Sequence, residues 1–368
     1  MERKLVLVIH SLAGGGAERV LASMADQWAS RGDRVTVVTL GQAAEDQYRL
    51  DARVKRVALD LMQDSANSLA TIGNTWRRVR ALRRAIQECD ADRIISFTEK
   101  MNVLVLLATR RMAARVIVCE RTDPRRHRLG FVWSVLRRRT YPGCWAAVVQ
   151  TAAVRGFVQS LVRGRPVYVI PNAVNPCQDL SGQPHAVDSQ RRVCVAMGRL
   201  SPEKGFDLFI EAASRIADKH PNWRFEIYGE GLQRTRLEEL IRERGLSQVS
   251  LCGWTADPQQ VLSAADLFVL PSRFEGFPNA LLEAMACGLA AVSSDCDSGP
   301  REIIQHDVNG LLVPPEDTLA LAAAMDRLMS DPEHRRRLAE RAPDVVQRFS
   351  TAKFFDLWEA VLRGDEAD

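Results

Sequence analysis

Between Asp266 and Cys287 the chain reads DLFVLPSRFEGFPNALLEAMAC, an order of residue types that suits one local structure above others. Leu267 to Leu270 is an apolar run of strand length. Pro271, Gly276 and Pro278 punctuate a loop, and an apolar helix is predicted from Asn279. Pro278 suits the start of that helix, where a missing N–H costs nothing. The backbone amides of the first turn then face outward past the strand's carboxyl end, a setting that favours phosphate or another anion. Glu275 on the loop and Glu283 on the helix are separated by seven residues. Carboxylates beside an anion site suit bonds from sugar hydroxyls better than contact with phosphate.

A chain of 368 residues is long for one core, and two domains are expected. No apolar run reaches the roughly 20 residues of a membrane-spanning helix. The start, MERKLVLVIH, moves directly into a strand without a signal-peptide pattern. The eight cysteines include no C-x-x-C pair and lie mostly in apolar segments, which predicts reduced core thiols in a cytosolic protein. The six histidines are equally dispersed, so no metal is expected. The net charge of +4 conceals a division. Residues 1–172 carry 29 Lys and Arg against 15 Asp and Glu, whereas residues 173–368 carry 21 against 31. The basic half calls for an anionic partner. Nucleic acid is disfavoured, because no helix-turn-helix, zinc-finger spacing or aromatic RNA-binding run is present.

The acidic half carries further motifs at predicted strand ends. Val193 to Met197 reads as a strand followed by Gly198-Arg199-Leu200-Ser201-Pro202-Glu203-Lys204-Gly205. Arg199 and Lys204 on such a loop suit a diphosphate, one as a fork and one as a point charge. Arg224 to Tyr228 is a strand leading to Gly229-Glu230-Gly231, and Ser250 to Trp254 contains Cys252 and Gly253. Asp295-Cys296-Asp297 looks like a metal-binding D-x-D triplet, but it sits late in a chain whose other motifs belong to a different set and is read as a coincidence.

Together, FEGFPNALLEAMACG with its paired glutamates and GRLSPEKG resemble the signatures of retaining, nucleotide-sugar-dependent glycosyltransferases of the GT-B fold, family 4 in particular. The resemblance implies an α/β protein with two Rossmann-like domains whose parallel sheets face each other across a cleft. It implies that Arg199 and Lys204 hold the donor diphosphate and that Glu275 sits beside the transferred sugar. Glu283 would bind the ribose. Gly198, Gly229, Gly231, Cys252, Gly253, Gly276, Phe277, Pro278, Asn279 and Ala280 would complete the donor site. The base is expected to be read through backbone atoms, and the subgroup favours uridine over guanosine.

In the basic half, the strand Lys4 to His10, the turn Ser11 to Gly16, a helix from Ala17 to about Ser30 and the strand Arg34 to Leu40 form a βαβ opening. The G-x-G-x-x-G spacing of a nicotinamide site is missing. By resemblance Gly15 and Gly16 approach the donor, although a tight turn also requires such glycines. Asn74 to Ile86 is a predicted helix with Trp76, Val79, Leu82 and Ile86 on its apolar face. Arg77, Arg80 and Arg84 line another face, either as a solvated stripe or as a grip for the pyrophosphate of a lipid-linked acceptor. Arg93 to Phe97, Arg115 to Glu120, Ala146 to Gln150 and Val167 to Ile170 complete the sheet. Family members often place a histidine after one of these strands. This chain has Ser96-Phe97-Thr98-Glu99 and Cys119-Glu120-Arg121 there, leaving Glu120 or Glu99 as acceptor-side candidates or plain caps. Arg125 to Arg139 sets Phe131 and Trp133 between basic clusters that include Arg137, Arg138 and Arg139. This helix either lies in a membrane surface or packs its apolar side inward.

The expected organisation is an acceptor domain over 1–172, a linker over 173–192, a donor domain over 193–345 and a returning C-terminal helix over 346–368. Helices are expected over Thr318–Leu328, Glu333–Phe349 and Thr351–Leu362. The implied activity moves a hexose or N-acetylhexosamine from a UDP-sugar to a polyprenyl-pyrophosphate glycan. It would act with retention, without metal or cofactor, at the cytoplasmic face of the inner membrane as a peripheral protein. A UDP-sugar epimerase or hydrolase, or a non-catalytic sugar-nucleotide-binding subunit, stands as the alternative.

Overall fold

The computed structural model describes residues 2–62, 68–127, 129–177 and 192–366, with backbone alone over 68–72. The chain divides into two compact units, Met1–Ile170 with Asp356–Asp368, and Pro171–Phe355.

The first unit is built on a seven-stranded sheet: β1 Lys4–Ile9, β2 Arg34–Thr39, β3 Lys55–Ala58, β4 Arg93–Phe97, β5 Arg115–Cys119, β6 Ala146–Val149 and β7 Val167–Val169. All pairings are parallel, in the order β3-β2-β1-β4-β5-β6-β7. Helices α1 Gly16–Ser30, α2 Ser68–Cys89, α3 Glu99–Ala108, α4 Phe131–Thr140 and α5 Ala152–Val162 make the crossovers. Central strands covered on both faces must be apolar throughout, and Leu5 to Ile9 is fully buried. The second unit repeats the plan with six strands: β8 Arg192–Met197, β9 Trp223–Tyr228, β10 Val249–Gly253, β11 Leu267–Leu270, β12 Ala291–Ser294 and β13 Leu311–Val313. Their parallel order is β10-β9-β8-β11-β12-β13. Its helices are α6 Phe206–Ile216, α7 Arg234–Glu243, α8 Pro258–Ser263, α9 Asn279–Ala286, α10 Pro300–Ile303, α11 Thr318–Ser330, α12 Pro332–Arg341 and α13 Asp344–Arg348. The last helix, α14 Thr351–Arg363, places Trp358 edge-on to Trp28 of α1, their centroids 5.9 Å apart.

In each sheet the strand order reverses once, between β1 and β4 and between β8 and β11. Open parallel sheets bind ligands outside the carboxyl ends of the strands at such a reversal. The loops after β8 and β11 are therefore neighbours, although 71 residues separate Lys204 from Glu275.

Four expectations need correction. The single helix expected over Glu333–Phe349 is two, α12 and α13, because Pro343 lacks the N–H that would continue the ladder and instead caps α13. Trp76 does not join the apolar face of α2 but stands 63% exposed, while Val79, Leu82 and Ile86 are buried. Cys177 and Cys287, expected as free thiols, form a disulfide with Cα atoms 4.9 Å apart. The short strands β3, β10, β12 and β13 went unexpected. Of the linker expected over 173–192, residues 178–191 lie outside the described residues.

Candidate active site

The loop after β8 and the loop after β11 meet through an ion pair and through Arg273, whose N–H and guanidinium donate to the Glu203 and Pro202 carbonyls, each at 2.8 Å. The Lys204 ammonium donates to both Glu275 carboxylate oxygens, at 2.7 and 2.9 Å, and the Ser272 hydroxyl donates to Glu275 Oε1 at 2.7 Å. Glu275 is buried, whereas Lys204 stays partly open. Ser272 is itself pinned, its carbonyl accepting from the Cys296 thiol at 3.1 Å. Arg199, on the same loop as Lys204, is exposed and makes no ion pair among the described residues. The local balance is thus one cation held by a carboxylate and a second cation available to an anion.

Glycines let these loops close on one another. Gly205, at φ +65°, brings the turn after Lys204 so near β11 that a Cβ would lie 2.1 Å from the Pro271 carbonyl oxygen. Gly229, at φ +144°, sits where a Cβ would lie 1.8 Å from the Gly198 carbonyl oxygen. A ladder of main-chain bonds holds this contact: Gly198 N–H to Tyr228 O, Leu200 N–H to Glu230 O and Gly229 N–H to Gly253 O. Gly231 packs against Leu200 in the same way. Cys252 is exposed on β10 beside Gly253. After β11, Gly276 and buried Phe277 lead to Pro278, which takes the N-cap position itself and makes no side-chain cap bond. The first-turn amides of α9, from Asn279 and Ala280 on, follow this start. Glu283 lies half-buried one turn further along. Asp295 pairs with Arg301 at 2.8 Å and the Cys296 thiol is buried, so that triplet is occupied with structural contacts. No group of three His, Cys, Asp or Glu residues able to hold a metal occurs among the described residues.

At the reversal of the first sheet, the glycine turn is less open than its sequence suggests. The Gly15 N–H donates to the Glu18 carboxylate, and Ser11 Oγ at 2.6 Å and His10 Nε2 at 2.9 Å converge on Glu18 Oε1. Burial pushes the Glu18 carboxyl up, but the bonds from His10, Ser11 and Gly15 outweigh it and leave it below its ordinary value. The Gly15 amide is therefore already engaged, which narrows the donor role expected of Gly15 to close approach; Gly16 opens α1. The signal was present as Glu18, three residues past Gly15 at the reach-back position of a capping box.

Beyond β4 and β5 lies a second group. Glu99 is buried and receives the Thr122 hydroxyl and His127 Nδ1, the latter at 3.1 Å. The bond to Glu99 raises the His127 pKa. Burial alone would raise Glu99, yet the His127 and Thr122 bonds bring it below the usual range. The strand ends thus carry a histidine after all, supplied from the loop after β5, a placement that a search for one directly at a strand end misses. Glu120 is fully buried, accepts the Tyr141 hydroxyl and is pushed up to about 8 by burial and by the charge of Glu99. Its Oε2 has no partner among the described residues.

The remaining candidates scatter over the surface of the first unit. Arg77, Arg80 and Arg84 form an exposed row on α2 without an ion pair among the described residues, while Arg78 and Arg83 bond main-chain carbonyls of Leu61, Ala108 and Arg110. On α4, Phe131 is 84% and Val132 66% exposed, and Arg138 and Arg139 face solvent. Trp133 instead packs half-buried against the core. Arg137 is a correction: it is buried, stacked over Phe157 at 5.5 Å, and so is withdrawn from any membrane surface.

Two family models match in succession. Glycosyltransferase Family 4 covers residues 14–178 and Glycosyl transferases group 1 covers 178–345. An exopolysaccharide phosphotransferase of Streptomyces coelicolor is 34% identical over 76% of this chain, a match that spans only 29% of that longer protein. A Campylobacter jejuni enzyme named as a GalNAc-alpha-(1->4)-GalNAc-alpha-(1->3)-diNAcBac-PP-undecaprenol alpha-1,4-N-acetyl-D-galactosaminyltransferase is 26% identical over 96% of this chain and 97% of its own. Among solved structures, Anabaena HepE in complex with UDP and glucose superposes with a TM-score of 0.76 at 21% identity, covering 99% of this chain and 100% of that one. With two parallel α/β sheets and both family models in order along 14–345, the chain belongs to the GT-B glycosyltransferases of family 4.

Proposed function

We propose that the protein transfers a hexose or N-acetylhexosamine from a UDP-sugar to a polyprenyl-pyrophosphate-linked glycan, with retention and without a metal ion, at a cytoplasmic membrane surface. The observation that carries the reading is the Lys204–Glu275 pair at the strand reversal of the second unit, with Arg199 on the loop of Lys204 and α9 opening at Asn279, four residues after Glu275. Breaking the sugar–phosphate bond places negative charge on the leaving diphosphate. Arg199, Lys204 and the α9 amides would stabilise that charge, which is the work a metal ion does elsewhere. Glu275, held by Lys204 and Ser272, would stand beside the developing positive charge on the sugar. The leaving phosphate would take the acceptor's proton on the same face, so no nucleophile is required. Support for UDP comes from the HepE complex, and support for a lipid-linked acceptor from the name of the Campylobacter relative. The exposed row Arg77, Arg80 and Arg84 supplies forks for the acceptor's pyrophosphate, and Phe131 with Arg138 and Arg139 supplies the membrane contact.

The test incubates the protein with UDP-galactose, UDP-GalNAc, UDP-GlcNAc and GDP-mannose, each with and without a polyprenyl-pyrophosphate-linked acceptor, in the presence of EDTA. Sugar transfer from one UDP-sugar to the acceptor is the expected result. Consumption of donor without acceptor would replace the reading with an epimerase or hydrolase. UDP binding without turnover, unchanged by Glu275→Ala, would replace it with a binding subunit.

A further inference from the structure

The segment 171–177, which opens the second unit, is tied to α9 and its neighbours at three points. The Asn172 side-chain amide donates to Asn279 at the first residue of α9. The Val174 N–H donates to the Phe349 carbonyl at 2.9 Å, and the Phe349 ring packs on Phe277 with centroids 5.4 Å apart. Cys177 is bonded to Cys287, the residue that ends α9, across a separation of 110 residues. The Cys287 N–H in turn donates to the carbonyl of Glu283 at 3.0 Å. A covalent bond therefore sits one helical turn from a side chain of the proposed donor site, and the strap crosses from the start of α9 to its end. Both cysteines are half-buried, so small thiols and disulfides reach them. The Cα separation of 4.9 Å is ordinary for a disulfide and needs no backbone movement to form.

We propose that Cys177 and Cys287 are a thiol–disulfide modification site that sets how firmly α9 is held for its nucleotide ligand. In the oxidising direction the two thiols lose two protons and pass one electron pair to a small-molecule disulfide. That disulfide leaves as two thiols while the bond between the Sγ atoms forms. With the bond closed, the far end of α9 is fixed to the strap and the helix meets its ligand pre-organised. With it open, the segment keeps the Asn172 and Val174 anchors and the bond from Thr351 to Asn175, but no covalent tie to the end of α9. The bond adds no group to the leaving-group site and acts only through how firmly α9 is held, so its effect is read as UDP affinity. The effect on ligand rests on the donor-site reading; the existence of the latch does not.

The full-length protein is equilibrated with oxidised glutathione or with dithiothreitol, digested without reduction and mapped by mass spectrometry. Hydrogen exchange over 279–287 and calorimetric titration with UDP follow on both forms. Expected are a cross-linked peptide joining Cys177 to Cys287 in the oxidised sample and slower exchange in α9. UDP should bind roughly three- to tenfold more tightly to the oxidised form, because pre-organisation lowers the ordering cost. Cys177→Ser should bind UDP alike under both conditions. Absence of the cross-linked peptide overturns the proposal, as does a cross-link that changes neither exchange nor UDP affinity. If UDP binds neither form, the donor-site reading fails, and exchange over 279–287 alone decides the latch: slower in the cross-linked form supports it, equal overturns it.

Discussion

At the scale of residues, the Lys204–Glu275 pair does two things that mutagenesis separates. Removing the ammonium leaves a buried carboxylate with Ser272 as its one side-chain donor among the described residues, a loss of both a leaving-group cation and a structural partner. Lys204→Met is therefore expected to lower kcat by about 100- to 1,000-fold and to reduce the urea midpoint as well. Glu275→Gln keeps an acceptor for Lys204 and a shape match, so it should lower kcat with little change in the midpoint; equal effects on both would contradict the separation. Glu120 offers a pH signature. Its ordinary carboxyl value is 4.5 and burial pushes it up to about 8. Below 4.5 the group is protonated folded and unfolded alike, and it exerts no pH-linked penalty. Between those values the unfolded chain releases the proton while the fold retains it, so stability falls as pH rises. Glu120→Gln removes the ionisation and keeps an acceptor for the Tyr141 hydroxyl. Denaturant unfolding should give nearly equal stability for the two proteins at pH 4.5, with the variant ahead by roughly 1–3 kcal/mol at pH 8.

At the scale of elements, the close approach of loops at the β8–β9 edge makes Gly229 irreplaceable, whereas Gly156 within α5 is not. An alanine at 229 must separate the 198 and 229 loops, since its Cβ would stand 1.8 Å from a carbonyl oxygen. Gly229→Ala should cost at least ~2 kcal/mol and abolish UDP binding. Gly156→Ala, whose Cβ meets nothing within 4 Å, should stabilise by up to ~1 kcal/mol and leave UDP binding alone. Thermal unfolding and UDP titration of both variants check the contrast. The same elements explain what the sequence disclosed. Strands β1, β5, β8 and β11 are buried on both faces, so their apolar runs were plain to read, and the loop after β11 announced itself through Pro and Gly chemistry. Strand β3, KRVA, is an edge strand of four residues that opens with two adjacent cations, and short edges leave little periodicity. The apposition of Lys204 with Glu275 is non-local and follows only from strand order. Arg137 could not be distinguished from Arg138 and Arg139 by composition; a helix puts adjacent residues about 100° apart, and that rotation alone sends Arg137 inward. The disulfide was unreadable because a link between residues 110 apart carries no local pattern.

At the scale of the whole molecule, charge is divided by unit and not spread evenly. Met1–Ile170 with Asp356–Asp368 holds 30 Lys and Arg against 20 Asp and Glu, and Pro171–Phe355 holds 20 against 26. A surface with that division should meet an anionic bilayer by its first unit alone, since the acidic unit is repelled. Among the described residues no helix is long and apolar enough to cross a membrane. Phe131 and Val132 at the exposed start of α4 can enter the headgroup boundary, while Arg138 and Arg139 at its end can pair with lipid phosphates. These two contributions respond differently to salt. Each arginine near an anionic leaflet is worth about 1 kcal/mol and is screened within a Debye length, whereas burial of a phenylalanine, worth about 1.5–3 kcal/mol, is not. Co-sedimentation with vesicles containing phosphatidylglycerol should therefore show binding that weakens as sodium chloride rises. Phe131→Ser should lower the partition coefficient about tenfold or more at every salt concentration, and Arg138→Gln with Arg139→Gln should flatten the salt dependence. Equal binding to neutral and anionic vesicles would show that the basic unit's charge serves the acceptor's pyrophosphate instead. In that case the loss from Arg77→Gln, Arg80→Gln and Arg84→Gln should appear as a raised KM for lipid-linked acceptor with vesicle binding untouched.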